Sequence, residues 1–163
     1  LFRILSDTVR TSAMLMAVLV GALVFSNFIN IAGAPRAIIE AIEASGLGPT
    51  GVLIGLILFY LVLGCVFDSL AMILLTIPVV FPLVQQFGFD PVWFGILVVV
   101  VVEISLITPP IGMNIFVIRS LNPGVPVTTI FRGVLPFIGA DIVRLLLILL
   151  FPAIVLYLPM HMK

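Results

Sequence analysis

The chain has 163 residues, of which 63% are hydrophobic and 9% are charged, and its mean hydropathy is +1.46. These values exclude an ordinary soluble domain and predict an all-α integral membrane protein, because several apolar runs are long enough to cross a hydrocarbon core of about 30 Å. The apolar composition makes membrane lipid an expected partner. The formal net charge is +0, so nothing suggests nucleic acid or a strongly acidic partner.

The first predicted elements are a spanning helix and a short amphipathic helix. Residues 11–34 form an uncharged apolar run, preceded by residues 1–10, whose charged side chains suit the membrane interface. In residues 35–45 the isoleucines lie on one face and the charged residues elsewhere. That pattern favours a helix lying in the headgroup plane, with a water-exposed connector as the alternative.

Residues 50–86 form the longest apolar stretch, with polar residues in its middle at 64–69. We interpret this stretch as a re-entrant hairpin of two half-length helices whose tip is residues 64–69. Asp68 or Ser69 would cap the returning helix by accepting from its free N–H groups. One tilted span and two tightly joined full spans remain alternatives, although prolines in the second half disfavour a single long helix.

Residues 92–121 are predicted to form a helix that is broken at 108–112. Pro109 and Pro110 have no backbone N–H, and their rings clash with the preceding turn. Broken backbone at membrane depth is tolerated only where protein buries it or where it lines a polar cavity. Secondary transporters use such freed carbonyls and half-helix ends to hold ions and anionic substrates.

The last predicted elements are a short interfacial piece at residues 127–132 and a spanning helix over 133–158. This helix carries Asp141 and Arg144 three residues apart, so a mutual ion pair is the simplest arrangement at membrane depth. Glu103, another acid within an apolar run, either lines a cavity or bonds to neighbouring backbone, and the sequence leaves both open.

The region around the break offers hard oxygen ligands. Ser105, Thr108 and Ile111 are spaced three apart, and inward-turned carbonyls at these positions would suit Na⁺ as they suit other hard cations. A facing hairpin tip could supply the remaining ligands, since Gly64 permits unusual backbone angles. Asp68 has two compatible interpretations, helix capping and ion coordination.

Catalysis has little support in the sequence. The single histidine, His161, and the single cysteine, Cys65, cannot make a transition-metal site. Cys65 is expected to be a small buried hydrophobic residue. No spacing typical of a nucleophile elbow or a paired-histidine site occurs. We therefore expect a protein that is not an enzyme and has no cofactor. The sequence also shows no signal-peptide pattern.

Several motifs occur in a fixed order along nearly the whole chain: Gly64-x-x-Phe67-Asp68-x-x-Ala71, Pro78-x-x-x-Pro82, Gly88-Phe-Asp-Pro91-x-x-Phe94-Gly95, Ile107-Thr-Pro-Pro-x-Gly112, Pro136-Phe137, Phe151-Pro152 and Leu158-Pro159. In this combination the chain resembles the large membrane subunit of TRAP (tripartite ATP-independent periplasmic) transporters, the DctM-like proteins. Such subunits are longer, and the chain resembles their C-terminal half. One departure is Ser105, where relatives usually carry glycine.

The resemblance implies Na⁺-coupled uptake of carboxylate-bearing organic acids, such as C4-dicarboxylates or sialic acid, by an elevator mechanism. It implies a fold with two inverted repeats, of which this chain is the second, in a bacterial or archaeal inner membrane as a multi-pass protein. A small four-helix membrane subunit and a periplasmic substrate-binding protein are the implied partners. The alternatives are an anion permease of a related ion-transporter family without a binding protein, or a non-transporting membrane fragment.

The resemblance also implies two sets of site residues. Sodium, the coupling ion, would be held mostly by backbone carbonyls of Gly64, Phe67, Asp68, Ser105, Thr108 and Ile111. The organic acid would be bound at Ser69, Pro109, Pro110, Gly112 and Asn114.

Overall fold

The computed structural model describes residues 1–108 and 112–162, which form eight α-helices and no strands. The prediction of an all-α membrane protein is confirmed, because three helices, α1, α4 and α7, are long and apolar enough to span a bilayer. The helices are α1 (Phe2–Ile31), α2 (Ala34–Ala44), α3 (Pro49–Gly64), α4 (Ser69–Gln86), α5 (Pro91–Ile107), α6 (Met113–Leu121), α7 (Val127–Leu150) and α8 (Ala153–His161).

Helix α1 begins at Phe2 and ends at Ile31, so the charged segment 1–10 and the predicted spanning run belong to one continuous helix. Nothing in this segment interrupts a helix, because neither glycine nor proline occurs before Gly21. At about 1.5 Å per residue, 30 residues are longer than a hydrocarbon core, so the charged first turns can project beyond it.

The C-terminal region also differs from the predicted bounds. Residues 127–132 and the residues after them form one helix, α7, with Pro136 inside it. The predicted span over 133–158 is interrupted at Phe151 and Pro152, after which α8 begins. Phe151 has φ −128° and ψ 72°, outside the helical region, because the ring of a following proline disfavours helical geometry.

Helix α5 lies at the centre of the fold. It packs against α3, α4, α6 and α7, and only one stripe of it, Val92, Ile96, Val99 and Glu103, is exposed. Its buried residues are Trp93, Phe94, Leu97, Val98, Val100, Val101, Val102, Ile104 and Ser105. This is the largest set of buried residues in any helix of the described chain. The C-terminal end of α5, where the predicted break begins, is therefore held by the best-packed element of the chain.

The two helices of the predicted hairpin, α3 and α4, are separated by a non-helical tip, Cys65–Asp68. Helix α3 packs mainly on α5, whereas α4 packs mainly on α1. The Tyr60 hydroxyl and Thr76 Oγ1, 2.8 Å apart, form a hydrogen bond between the two arms. The two arms contain 16 and 18 residues, so they are longer than the half-length helices that the sequence predicts. Re-entry of the hairpin into the membrane stays a prediction.

Candidate ion and substrate site

The hairpin tip is shaped by the end of α3 and the cap of α4. The N–H groups of Val66 and Phe67 both donate to Leu63 O, at 3.0 and 2.8 Å, and this closes the last turn of α3. Asp68 is extended, and its Oδ2 accepts from Leu70 N at 3.1 Å and Ala71 N at 3.3 Å. The predicted capping role of Asp68 is therefore confirmed.

The tip is in direct contact with α5 at one point. A Cβ atom placed on Gly64 would lie 2.8 Å from Ser105 Cβ, closer than real Cβ contacts permit. Ser105 is fully buried, and its Oγ donates to Val102 O one turn earlier. The Ser105 side chain is accommodated because the facing residue, Gly64, has no side chain.

Two of the predicted carbonyl ligands point toward this contact. The Cys65 Sγ lies 3.9 Å from Ser105 O and 4.0 Å from Thr108 O. Ser105 O also accepts from Thr108 N at 3.3 Å, while Thr108 leaves the helix with φ −91° and ψ 140°. The carbonyls of Ser105 and Thr108 therefore converge on the first residue after α3.

The sequence predicts only that Cys65 is a small buried hydrophobic residue. It is buried, but its position beside both carbonyls was missed. The available signal was its place directly after Gly64, at the start of the predicted tip. The sequence does not show which residue of α5 faces Gly64, so the position of Cys65 alone does not identify Ser105 and Thr108 as the neighbours of Cys65.

The remaining predicted residues are spread over the tip and the start of α6. Phe67 and Asp68 are exposed on the tip, and within the described chain no N–H donates to the carbonyls of Gly64 and Phe67. Gly112 is buried with φ +51°, and a Cβ there would lie 3.2 Å from Thr108 O. Pro109, Pro110 and Ile111 lie outside the described residues.

Ser69 and Asn114 both lie in the first turn of a helix. Ser69 is the first residue of α4 and Asn114 the second residue of α6. The first turn of a helix has free N–H groups and a positive partial charge. At α4 the N–H groups of Leu70 and Ala71 already donate to Asp68, whereas α6 has no side-chain cap, so the helix terminus that can stabilise a substrate carboxylate is the one beside Asn114.

A charged cluster joins α5 to α7 outside this site. The Arg144 guanidinium lies 3.0 Å from Asp141 Oδ1 and 3.1 Å from Glu103 Oε2. The predicted pair of Asp141 and Arg144 is confirmed, and Glu103 has a partner that neither sequence interpretation named. Trp93 Nε1 donates to Ile148 O at 2.9 Å, so the start of α5 lies beside the end of α7, and the two helices run antiparallel.

The arrangement of the described helices is typical of one class of membrane protein. A multi-pass membrane protein whose helices stop and restart beside converging carbonyls has the architecture that secondary transporters use for ion and substrate sites. The family model "Tripartite ATP-independent periplasmic transporter, DctM component" matches residues 1–154. The chain belongs to this family, and the resemblance predicted from the motifs is confirmed. The curated relatives that it matches are permease proteins of transporters and not enzymes.

Relatives with different transported solutes match the chain. The C4-dicarboxylate TRAP transporter large permease protein DctM of Pseudomonas aeruginosa is 32% identical over 157 residues, which is 96% of this chain and 36% of the relative. The sialic acid permease SiaM of Vibrio cholerae is 32% identical over 96% of this chain and 36% of its own length. The ectoine permease TeaC of Halomonas elongata is 38% identical over 82% of this chain and 31% of its own length. The chain spans about a third of the length of these relatives.

Proposed function

We propose that the chain forms one inverted repeat of the large permease subunit of a TRAP transporter. The complete protein would couple the uptake of a carboxylate-bearing organic acid to sodium entry. The observation that carries this proposal is the convergence of Ser105 O and Thr108 O on the hairpin tip at Cys65. Membership of the DctM family supports the transport class, and the named solutes of two relatives, a C4-dicarboxylate and sialic acid, support a carboxylate substrate.

In this proposal the sodium ion lies between the tip and the break. Its ligands are drawn from Gly64, Phe67, Asp68, Ser105, Thr108 and Ile111, mostly through backbone carbonyls. The unengaged carbonyls of Gly64 and Phe67 support this assignment, because oxygen ligands suit a hard cation. The ordered turn at Thr108, fixed by its N–H bond to Ser105 O, would hold two of the carbonyls before the ion arrives.

The substrate carboxylate would lie next to the ion, at the N-terminal ends of α4 and α6. Ser69 and Asn114 supply polar side chains there, and Gly112 lets the backbone approach closely. Pro109 and Pro110 are assigned to the same substrate site by the family resemblance. A carboxylate beside a bound cation and the N-terminus of α6, which has no side-chain cap, experiences favourable charge from two directions. Sodium and substrate would then each strengthen the binding of the other, which is the physical basis of coupling.

The wider assembly follows from the same proposal. Helices α3 and α4 would form a re-entrant hairpin, and the tip and break would move together across the membrane in an elevator mechanism. The partners would be a small four-helix membrane subunit and a periplasmic substrate-binding protein, in a bacterial or archaeal inner membrane. The permease itself would need no cofactor beyond the coupling ion.

Uptake by the reconstituted transporter tests this function. The complete permease, the small membrane subunit and the loaded binding protein are placed in proteoliposomes, and radiolabelled dicarboxylate or sialic acid is followed under an inward gradient of sodium or of potassium. We expect accumulation with sodium only. Equal uptake in both gradients would contradict sodium coupling, and full uptake without the binding protein would favour a related anion permease instead.

A further inference from the structure

The two arms of the predicted hairpin are joined by a pair of hydroxyl groups. The Tyr60 hydroxyl lies 2.8 Å from Thr76 Oγ1, and Thr76 Oγ1 lies 2.8 Å from Met72 O, one turn earlier on α4. Thr76 has a single hydroxyl proton, so both hydrogen bonds form together only when Thr76 donates to Met72 O and Tyr60 donates to Thr76. The hydroxyl pair therefore connects the α3 side chain to the backbone of α4.

The hydroxyl pair lies in apolar surroundings. Tyr60 is 1% exposed and belongs to the hydrophobic core. Among the described residues, its contact with Thr76 is the one side-chain hydrogen bond that joins α3 to α4. A hydroxyl that loses its partner inside a protein carries a desolvation cost, so separating the two arms at this point is unfavourable.

The hydroxyl pair also lies where the arms converge toward the tip. Tyr60 is one helical turn before Gly64, and a Cβ on Gly64 would lie 3.5 Å from Met72 Cε. Farther from the tip, a groove that reaches Phe59 of α3 and Val80 of α4 lies between the arms. Each arm packs mainly on a different helix, α3 on α5 and α4 on α1. The separation of the arms at the tip therefore depends on these direct contacts.

We propose that Tyr60 and Thr76 are positioning residues for the sodium site. This inference rests on the proposed function, in which ligands come from both sides of the tip: Gly64 at the end of α3, and Phe67 and Asp68 before α4. The hydroxyl pair holds the two sides at the separation that the ion requires, although neither hydroxyl contacts the ion. Ligands that are held in place before binding lose less conformational freedom when the ion arrives.

Uptake by the complete reconstituted transporter tests the proposal. Tyr60→Phe removes only the hydroxyl, and we expect the sodium concentration for half-maximal uptake to rise several-fold while the maximal rate at saturating sodium stays near that of the parent. Tyr157→Phe is the matched control, because Tyr157 is the other of the two tyrosines and is 66% exposed on α8. A parent without sodium dependence would contradict the proposed function. A sodium-dependent parent whose response is unchanged by Tyr60→Phe would overturn the positioning role alone.

A double variant separates positioning from stability. Tyr60→Phe leaves Thr76 Oγ1 without a donor, whereas Tyr60→Phe combined with Thr76→Val replaces both hydroxyls by apolar groups of similar shape, which can be nearly neutral for stability. We expect the thermal unfolding midpoint of the double variant to return toward that of the parent, while its sodium requirement stays raised. A sodium requirement that also returns to the parent value would show that the link between the arms is not what matters, and would overturn the proposal.

Hydrogen exchange provides a readout that does not depend on transport. In sodium-free buffer, we expect the amides of residues 65–71 to exchange faster in Tyr60→Phe and in the double variant, because the arms are joined less firmly below the tip. The Tyr157→Phe protein should exchange like the parent. Unchanged exchange at the tip in Tyr60→Phe would overturn the proposal, whether or not the transporter uses sodium.

Discussion

Gly64 and Ser105 have room for only one side chain between them at the point where α3 ends against α5. A Cβ on Gly64 would lie 2.8 Å from Ser105 Cβ, so the missing side chain of one residue makes space for the other. The contact joins the hairpin tip to the helix whose end carries the Ser105 and Thr108 carbonyls. Its packing therefore sets the geometry of the candidate sodium site.

We expect Gly64→Ala to destabilise the permease by about 1–3 kcal/mol, because an added methyl group in a tightly packed contact forces backbone shifts. Ser105→Gly in the same protein should recover most of that loss, since it removes the clashing atoms. Thermal unfolding of the four proteins of this double-mutant cycle measures the coupling. Gly95→Ala is the control, because a Cβ at Gly95 meets nothing within 4 Å. Additive effects of the two substitutions would show that the residues do not share this space.

The hydrogen bond from Trp93 to Ile148 O replaces a backbone hydrogen bond that Pro152 cannot make. In a continuous helix Ile148 O would accept from the N–H of residue 152, but that residue is Pro152, which has no N–H. Trp93 Nε1 fills this role at 2.9 Å. We expect Trp93→Phe to cost about 1–3 kcal/mol, because it leaves a buried carbonyl without a donor.

Restoring an N–H at position 152 tests that explanation. In a Pro152→Ala background the helix can supply its own donor to Ile148 O, so the further loss caused by Trp93→Phe should be smaller. Chemical or thermal unfolding of the single and double variants measures the difference. An unchanged cost of Trp93→Phe in the Pro152→Ala protein would mean that the lost ring contacts, and not the hydrogen bond, account for it.

The hairpin proposal predicts that both ends of residues 49–86 lie on the same side of the membrane. Single cysteines at Gly48 and Gln85, introduced in a Cys65→Ser background, report this because both positions are exposed and lie next to the outer ends of α3 and α4. An impermeant maleimide should label both from one side of oriented vesicles. Labelling from opposite sides would show that α3 and α4 do not re-enter as a hairpin.

Local sequence features predicted most of the helices but few of the contacts between them. Helix ends at Gly33, Gly48 and Asp90 follow from the conformational preferences of those residues. The Asp141 and Arg144 pair follows from helical periodicity. The pairing of Glu103 with Arg144, and the approach of Gly64 to Ser105, join residues about 40 positions apart. No local pattern encodes which faces of two largely apolar helices meet.

The turn at Thr108 gives a direct test of the carbonyl site. Thr108→Pro removes the N–H that bonds to Ser105 O at 3.3 Å and disfavours helical geometry at the preceding residue. We expect the sodium concentration for half-maximal uptake to rise several-fold. Thr108→Val is the control, because it keeps the N–H and removes only the hydroxyl that donates to Ile104 O. An unchanged sodium dependence in the proline variant would place the ion elsewhere.

Asp68 caps α4, and Asp90, which caps α5, provides a control for the contribution of capping alone to stability. Asp90 caps α5 with the same geometry, since its Oδ1 accepts from Val92 N and Trp93 N at 2.9 Å each. Asp90 lies at the opposite end of α5 from Ser105. Because asparagine keeps a good capping oxygen, Asp68→Asn and Asp90→Asn should each lose only the charge–dipole contribution, about 0.3–1 kcal/mol.

If Asp68 contributes its charge to the sodium site, the two variants will differ in transport although they match in stability. We expect Asp68→Asn to be inserted and expressed normally but to need a several-fold higher sodium concentration for uptake, while Asp90→Asn keeps the parent sodium dependence. The physical reason is that a carboxylate at membrane depth is costly unless a cation compensates it, and capping does not require the charge. Normal sodium-driven uptake by Asp68→Asn at normal abundance would limit this residue to its structural role.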